Sequence, residues 1–152
     1  MLGANLAVAA LMVGMTTIVH LVFLTGLTWV MQKRKVGENN NKHFIGPSLV
    51  IVLVVFGLFA AHSVEIWMYA ILYAFLGIFE NFETALYFST GTFTTVGFGE
   101  VVAGPKWRLL TAIESANGFL LIGWSTAFLI GLTARLRAVE HRWMKGHSDE
   151  MK

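Results

Sequence analysis

Apolar residues fall in long blocks along the chain, separated by short polar stretches. Gly3 to Met31 is almost wholly apolar, with His20 as its only ionisable side chain. At ~1.5 Å per residue such a block crosses a ~30 Å hydrocarbon core with some tilt. No Lys or Arg precedes it, so it lacks the basic start of a signal peptide and is read as a retained spanning helix. A second block, Ser48 to about Gly77, is interrupted only by His62, Ser63 and Glu65, and a third runs from Arg108 to about Leu136. Both are predicted to span. Between them, Glu83 to Thr94 reads ETALYFSTGTFT, which is too short to span and carries Gly91 with several Thr and Ser. A short re-entrant helix is predicted there. The chain then returns through VVAGPK, with Gly104-Pro105 as the turn and Trp107 as an interfacial anchor.

Charge adds orientation. Lys33, Arg34, Lys35 and Lys42 cluster in the first polar stretch, Gln32 to Pro47; Arg135, Arg137, His141, Arg142 and Lys145 follow the last block. By the positive-inside rule both clusters are cytoplasmic, which places the N-terminus outside and the C-terminus inside. Glu80, Asn81 and Glu83 mark the outer surface. The expected organisation is an N-terminal spanning helix over 1–31, a basic loop over 32–47, a pore domain over 48–137 and a cytoplasmic tail over 138–152. Composition agrees: 56% of the 152 residues are hydrophobic and 13% charged, with a mean hydropathy of +0.66. A soluble domain carries about twice that charge fraction. Cysteine is absent, which excludes disulfides, thiolate metal sites and cysteine nucleophiles. The compact chain suits a plasma membrane, specifically a prokaryotic inner membrane.

The chemistry sits in residues 94–100, TTVGFGE. Lipid excludes irregular backbone unless that backbone lines a water-filled path. A dehydrated cation needs a shell of oxygens, and backbone carbonyls supply it when successive residues aim them the same way. That requires alternating right- and left-handed backbone, and glycine adopts the left-handed form cheaply. Gly97 and Gly99 alternate as required, Val96 and Phe98 pack outward, and Thr95 adds a hydroxyl. The short helix before the loop aims its negative C-terminal end at the cation. Potassium takes roughly eight ligands, two from each of four strands. One strand per chain therefore implies a homotetramer.

The run T-x-T-T-V-G-F-G at Thr92 to Gly99, set between two spanning helices, resembles the signature of the potassium-channel pore family. The resemblance covers about Ser48 to Leu136. It implies an all-α membrane protein with three transmembrane helices, a re-entrant pore helix and a filter loop per chain, forming a tetrameric pore that holds K+ ions. It also implies that Thr95, Val96, Gly97 and Phe98 supply the coordinating carbonyls. Three departures bear on the filter. Phe98 replaces the commoner tyrosine and loses a hydroxyl that ties filter to pore helix. Glu100 replaces the usual aspartate. Gly91 stands where some members carry a glutamate that pairs with that aspartate. The usual clamp cannot form, and a filter held less firmly from outside is expected, with Gly91, Thr94 and Glu100 as its support.

Gly118 sits where the family often has a gating hinge, and Gly123 follows. Hinge and close helix packing stay open as readings for both. Phe119, Ile122, Thr126 and Ile130 share a helix face, assigned to the cavity and its inner mouth. Intramembrane ionisable groups are costly and default to functional hypotheses. Here they are His20, His62, Glu65 and Glu114, with Asn117 nearby. His62 and Glu65 can pair at i, i+3. Glu114 lies roughly 9 Å along its helix, level with the back of the pore helix. Such a network either senses protons for the filter or braces the helices, and the brace is preferred. A zinc site from His62 and Glu65 has too few ligands. No helix repeats Arg or Lys every third residue, so no voltage sensor is expected, and the tail is too short for a ligand-binding domain. A non-selective cation channel and a non-conducting membrane subunit are the competing readings. No enzymatic constellation is present.

Overall fold

In a computed structural model, which describes residues 2–33 and 47–149, the chain forms four helices: α1 (Leu2–Lys33), α2 (Pro47–Phe75), α3 (Phe82–Phe93) and α4 (Arg108–Asp149). There is no strand among the described residues. The basic loop around Arg34, Lys35 and Lys42 lies outside them. Leu2–Gln32, Leu49–Phe75 and Arg108–Arg135 are long and apolar enough to cross a membrane, in agreement with the three blocks of the sequence.

Local chemistry sets the boundaries. Pro47 opens α2, where its missing N–H costs nothing. Gly77, at φ +62°, ends that helix. Its N–H donates to the Ala74 carbonyl at 3.1 Å, and the Ile78 N–H reaches back to Tyr73 at 3.0 Å. This pair of bonds is a Schellman cap, which satisfies carbonyls that the helix end leaves orphaned. Asn81 caps α3 by accepting from the Thr84 N–H at 2.8 Å, and Glu83 complements the positive end of its dipole. α4 differs from its predicted extent. It continues past Leu136 to Asp149, because residues 137–149 contain no proline and a single glycine, so nothing in them stops a helix.

Two apolar clusters hold the helices together. One joins Ala9 and Met12 of α1, Tyr69 and Tyr73 of α2, Phe93 of α3, and Leu110 and Leu121 of α4. The other joins Leu24, Val54, Leu58 and Leu132. α3 is thereby packed against α2 and α4 at one end of the three long helices. No more than a third of the residues in each apolar window are buried. Most of the apolar surface, including Phe56, Phe59, Phe75, Phe119 and Ile130, faces away from the chain's own core.

Candidate functional site

The loop that follows α3 has alternating handedness. Thr95, Gly97 and Gly99 all take positive φ, at +63°, +55° and +91°. The intervening Val96 and Phe98 do not. Successive carbonyls in such an alternation can be aimed to one side. The two glycines were legible in the sequence. Thr95 was missed, because a β-branched residue at positive φ is an outlier that composition gives no reason to expect. Left-handed backbone costs it roughly 1–2 kcal/mol, and strain of this kind collects at functional sites.

The loop is held from behind. The Gly97 N–H donates to the Gly91 carbonyl at 3.0 Å. Gly91 is buried, and a Cβ there would stand 3.6 Å from the Phe98 ring and 3.9 Å from the Gly97 nitrogen. A longer side chain would need the space that Phe98 occupies. Thr94 caps α3, its hydroxyl donating to the Thr90 carbonyl at 2.7 Å. The clamp through position 91 is absent, as the sequence implies, and another tie takes its place. The Tyr87 hydroxyl donates to the Glu100 carboxylate, and the Phe98 ring stacks on Tyr87 at 5.8 Å between centroids, 15° from parallel. Tyr87 lies one helical turn before Gly91, and the extra methylene of Glu100 over aspartate helps it reach. The Tyr87 hydrogen bond holds the Glu100 carboxyl below the usual carboxylate range.

Three polar clusters lie between the helices, where the sequence suggested one network. In the first, the His20 and His62 Nδ1 atoms lie 2.9 and 2.8 Å from the two Glu65 carboxylate oxygens. The pairing of His62 with Glu65 follows from their spacing; the arrival of His20 from α1 does not. Ser125 of α4 closes this cluster, with its Oγ 3.0 Å from His62 Nε2 and 3.4 Å from His20 Nε2. In the second, Glu114 sits behind α3, as its height on α4 suggests, and accepts from Ser89 at 2.6 Å and from Tyr73. In the third, Asn117 donates to the Thr16 hydroxyl at 2.8 Å and to the Tyr69 hydroxyl at 3.2 Å. His20, Glu65 and Glu114 are fully buried. Ionised groups persist in such places only when paired or hydrogen-bonded.

Gly118 meets the end of α3. A Cβ on it would stand 2.0 Å from the Phe93 carbonyl oxygen. The residue therefore serves close packing of α4 on the helix that carries the loop. Gly123 has nothing within 4 Å of a Cβ. Along the face assigned to a cavity, Phe119, Thr126 and Ile130 are exposed in the single chain and Ile122 is half-buried.

Comparison with known proteins fits this geometry. No curated protein and no solved structure matches the chain. A family model described as ion channel matches residues 48–135, which take in α2, α3, the loop and the apolar part of α4. The match covers more than half of the 152 residues and, with three helices able to span, identifies the chain as a multi-pass membrane protein that belongs to the ion channel family.

Proposed function

We propose that the chain is a potassium-selective channel, assembled as a homotetramer, in which the carbonyls of Thr95, Val96, Gly97 and Phe98 and the backbone of Gly99 form the filter. The observation that carries this reading is the left-handed backbone at positions 95, 97 and 99. It appears in the loop that is braced both through Gly91 and through Tyr87. Four such strands around an axis replace the hydration shell of K+. α3 is the re-entrant pore helix, and its carbonyl end favours a cation in the cavity below the filter. The exposed residues Phe119, Thr126 and Ile130, with Ile122, line that cavity and its inner mouth. The apolar faces left open by the single chain are covered by neighbouring protomers and lipid. Both termini follow the basic clusters: N-terminus outside, C-terminus cytoplasmic, in a prokaryotic plasma membrane.

The test is the reversal potential of the reconstituted protein with K+ on one side and Na+ on the other. A reversal near the potassium equilibrium potential is expected. A reversal near zero with clear currents would make the pore non-selective. Silence across a range of pH would favour a non-conducting subunit.

A further inference from the structure

The sequence offers too few ligands for a metal between His62 and Glu65, and the fold supplies the third. His20, on α1 and outside the family match, brings its ring to the same carboxylate, so that ligand atoms of His20, His62 and Glu65 all lie within 4.8 Å of one another. We propose that these residues form a binding site for a divalent transition ion, Zn2+ by the nature of its donors, joining α1 to α2.

Three observations carry the site. The first is geometry. Both Nδ1 atoms already face the Glu65 oxygens, at 2.9 and 2.8 Å. A tetrahedral zinc at ~2.0–2.2 Å from each ligand sets neighbouring donors roughly 3.3–3.5 Å apart. The two histidine–carboxylate pairs are about half an ångström shorter than that, and all three ligand atoms fall within 4.8 Å of one another, so small side-chain shifts bring them to zinc geometry. The second is the support behind the ligands. A histidine that binds metal through one nitrogen donates the N–H on the other to a fixed acceptor. Ser125 Oγ stands at that position for both rings, 3.0 Å from His62 Nε2 and 3.4 Å from His20 Nε2. A hydroxyl oxygen has two lone pairs, one for each ring. Without metal and with both rings neutral, the same atoms compete. When both Nδ1–H groups donate to Glu65, two Nε2 lone pairs share the single Ser125 hydroxyl hydrogen. The third is enclosure. The side chains of His20 and Glu65 are fully buried and that of His62 is 17% exposed. The ligands are held by packing, His20 against Trp124 and His62 against Phe93. Two imidazoles and one carboxylate suit zinc over magnesium or calcium, which prefer oxygen alone.

Occupancy would fasten α1 to α2 beside Phe93, the last residue of α3. The site does not depend on which ion the channel conducts, so it stands or falls separately from the potassium reading. The experiment uses the full-length assembled protein, free of any histidine tag. Zinc per chain is measured after equilibrium dialysis, and Co2+ substitution is followed by its visible ligand-field bands. One Zn2+ per chain and the strong bands of four-coordinate cobalt are expected. His20→Gln should abolish both. Ser125→Ala keeps all three ligands and should weaken affinity by about 10–100-fold. A variant with His43, His141 and His147 all changed to Gln should bind as the wild type does. Absence of zinc in the wild-type protein would overturn the proposal. So would full stoichiometry in a His20→Gln protein that elutes as the same assembly.

Discussion

Gly118→Ala separates the two readings of the inner-helix glycine. The added methyl would sit 2.0 Å from the Phe93 carbonyl oxygen, 2.8 Å from its carbon and 2.9 Å from the Phe93 Cα. All three atoms are backbone, so no side-chain rotation relieves the contact. The first distance is about 1.4 Å short of ordinary contact, so α4 must move away from α3 or the end of α3 must unwind. Overpacking of this kind costs about 1–3 kcal/mol and sometimes more. Alanine returns about 1 kcal/mol through better helix propensity. The balance is a net loss of up to roughly 2 kcal/mol per chain, toward the upper end for so short a contact with backbone, multiplied across an assembly. Gly123→Ala is the control: its methyl meets nothing within 4 Å, and the propensity gain should stand alone. Thermal unfolding of the detergent-solubilised assembly, followed by size-exclusion chromatography, should show Gly118→Ala losing assembled protein at a lower temperature than wild type and Gly123→Ala at the same temperature or higher. A Gly118→Ala protein as stable as wild type, with only its gating altered, would refute the packing argument and restore the hinge.

Two further outcomes are expected. Because the Tyr87 hydrogen bond lowers the Glu100 pKa, whatever this tie contributes is fully present above the ordinary carboxylate range and is lost as pH falls through the lowered value. Currents should therefore be insensitive to Glu100 between neutral and mildly acidic pH. Tyr87→Phe removes the tie at every pH and should abolish this component of the acid-induced loss; an unchanged acid limb would show that the tie does not hold the loop. Tyr73→Phe removes one of the two donors to the buried Glu114, and an under-satisfied buried acceptor costs about 1–3 kcal/mol, more when charged. A drop in unfolding temperature should follow, and an unchanged temperature would mean that Ser89 alone satisfies the carboxylate.

What the sequence disclosed and what it hid divide along one physical line. Hydropathy displayed the three long helices, since a bilayer demands a fixed length of apolar chain. Glycine spacing displayed the handedness of the loop at 97 and 99, and helical periodicity displayed the pairing of His62 with Glu65. All of these are local. The contacts that escaped connect different helices: His20 with Glu65 across 45 residues, Tyr73 with Glu114 across 41, and Ser125 with His20 across 105. Nothing in the spacing of such residues says which face of which helix they share. Tyr87 with Glu100, only 13 residues apart, was hidden for another reason. The clamp known from the resembling family lies at position 91, and a tyrosine in a short apolar helix reads as packing until its hydroxyl finds an acceptor. The positive φ of Thr95 had no signal at all, because the rest of the loop imposes it.

The polar side chains of α1 bear on how the protein is made. Asn5 donates to the Lys106 carbonyl and Thr16 accepts from Asn117, each partner lying 101 residues further along the chain. A ribosome making about 5–20 residues per second leaves the first helix waiting roughly 5–20 s for those partners. During that interval Asn5 and Thr16 must be sheltered by water or by the insertion machinery, whereas His20 meets Glu65 only 45 residues on. Joining of α1 to the rest is therefore a late event in biogenesis, completed only when the last helix has emerged.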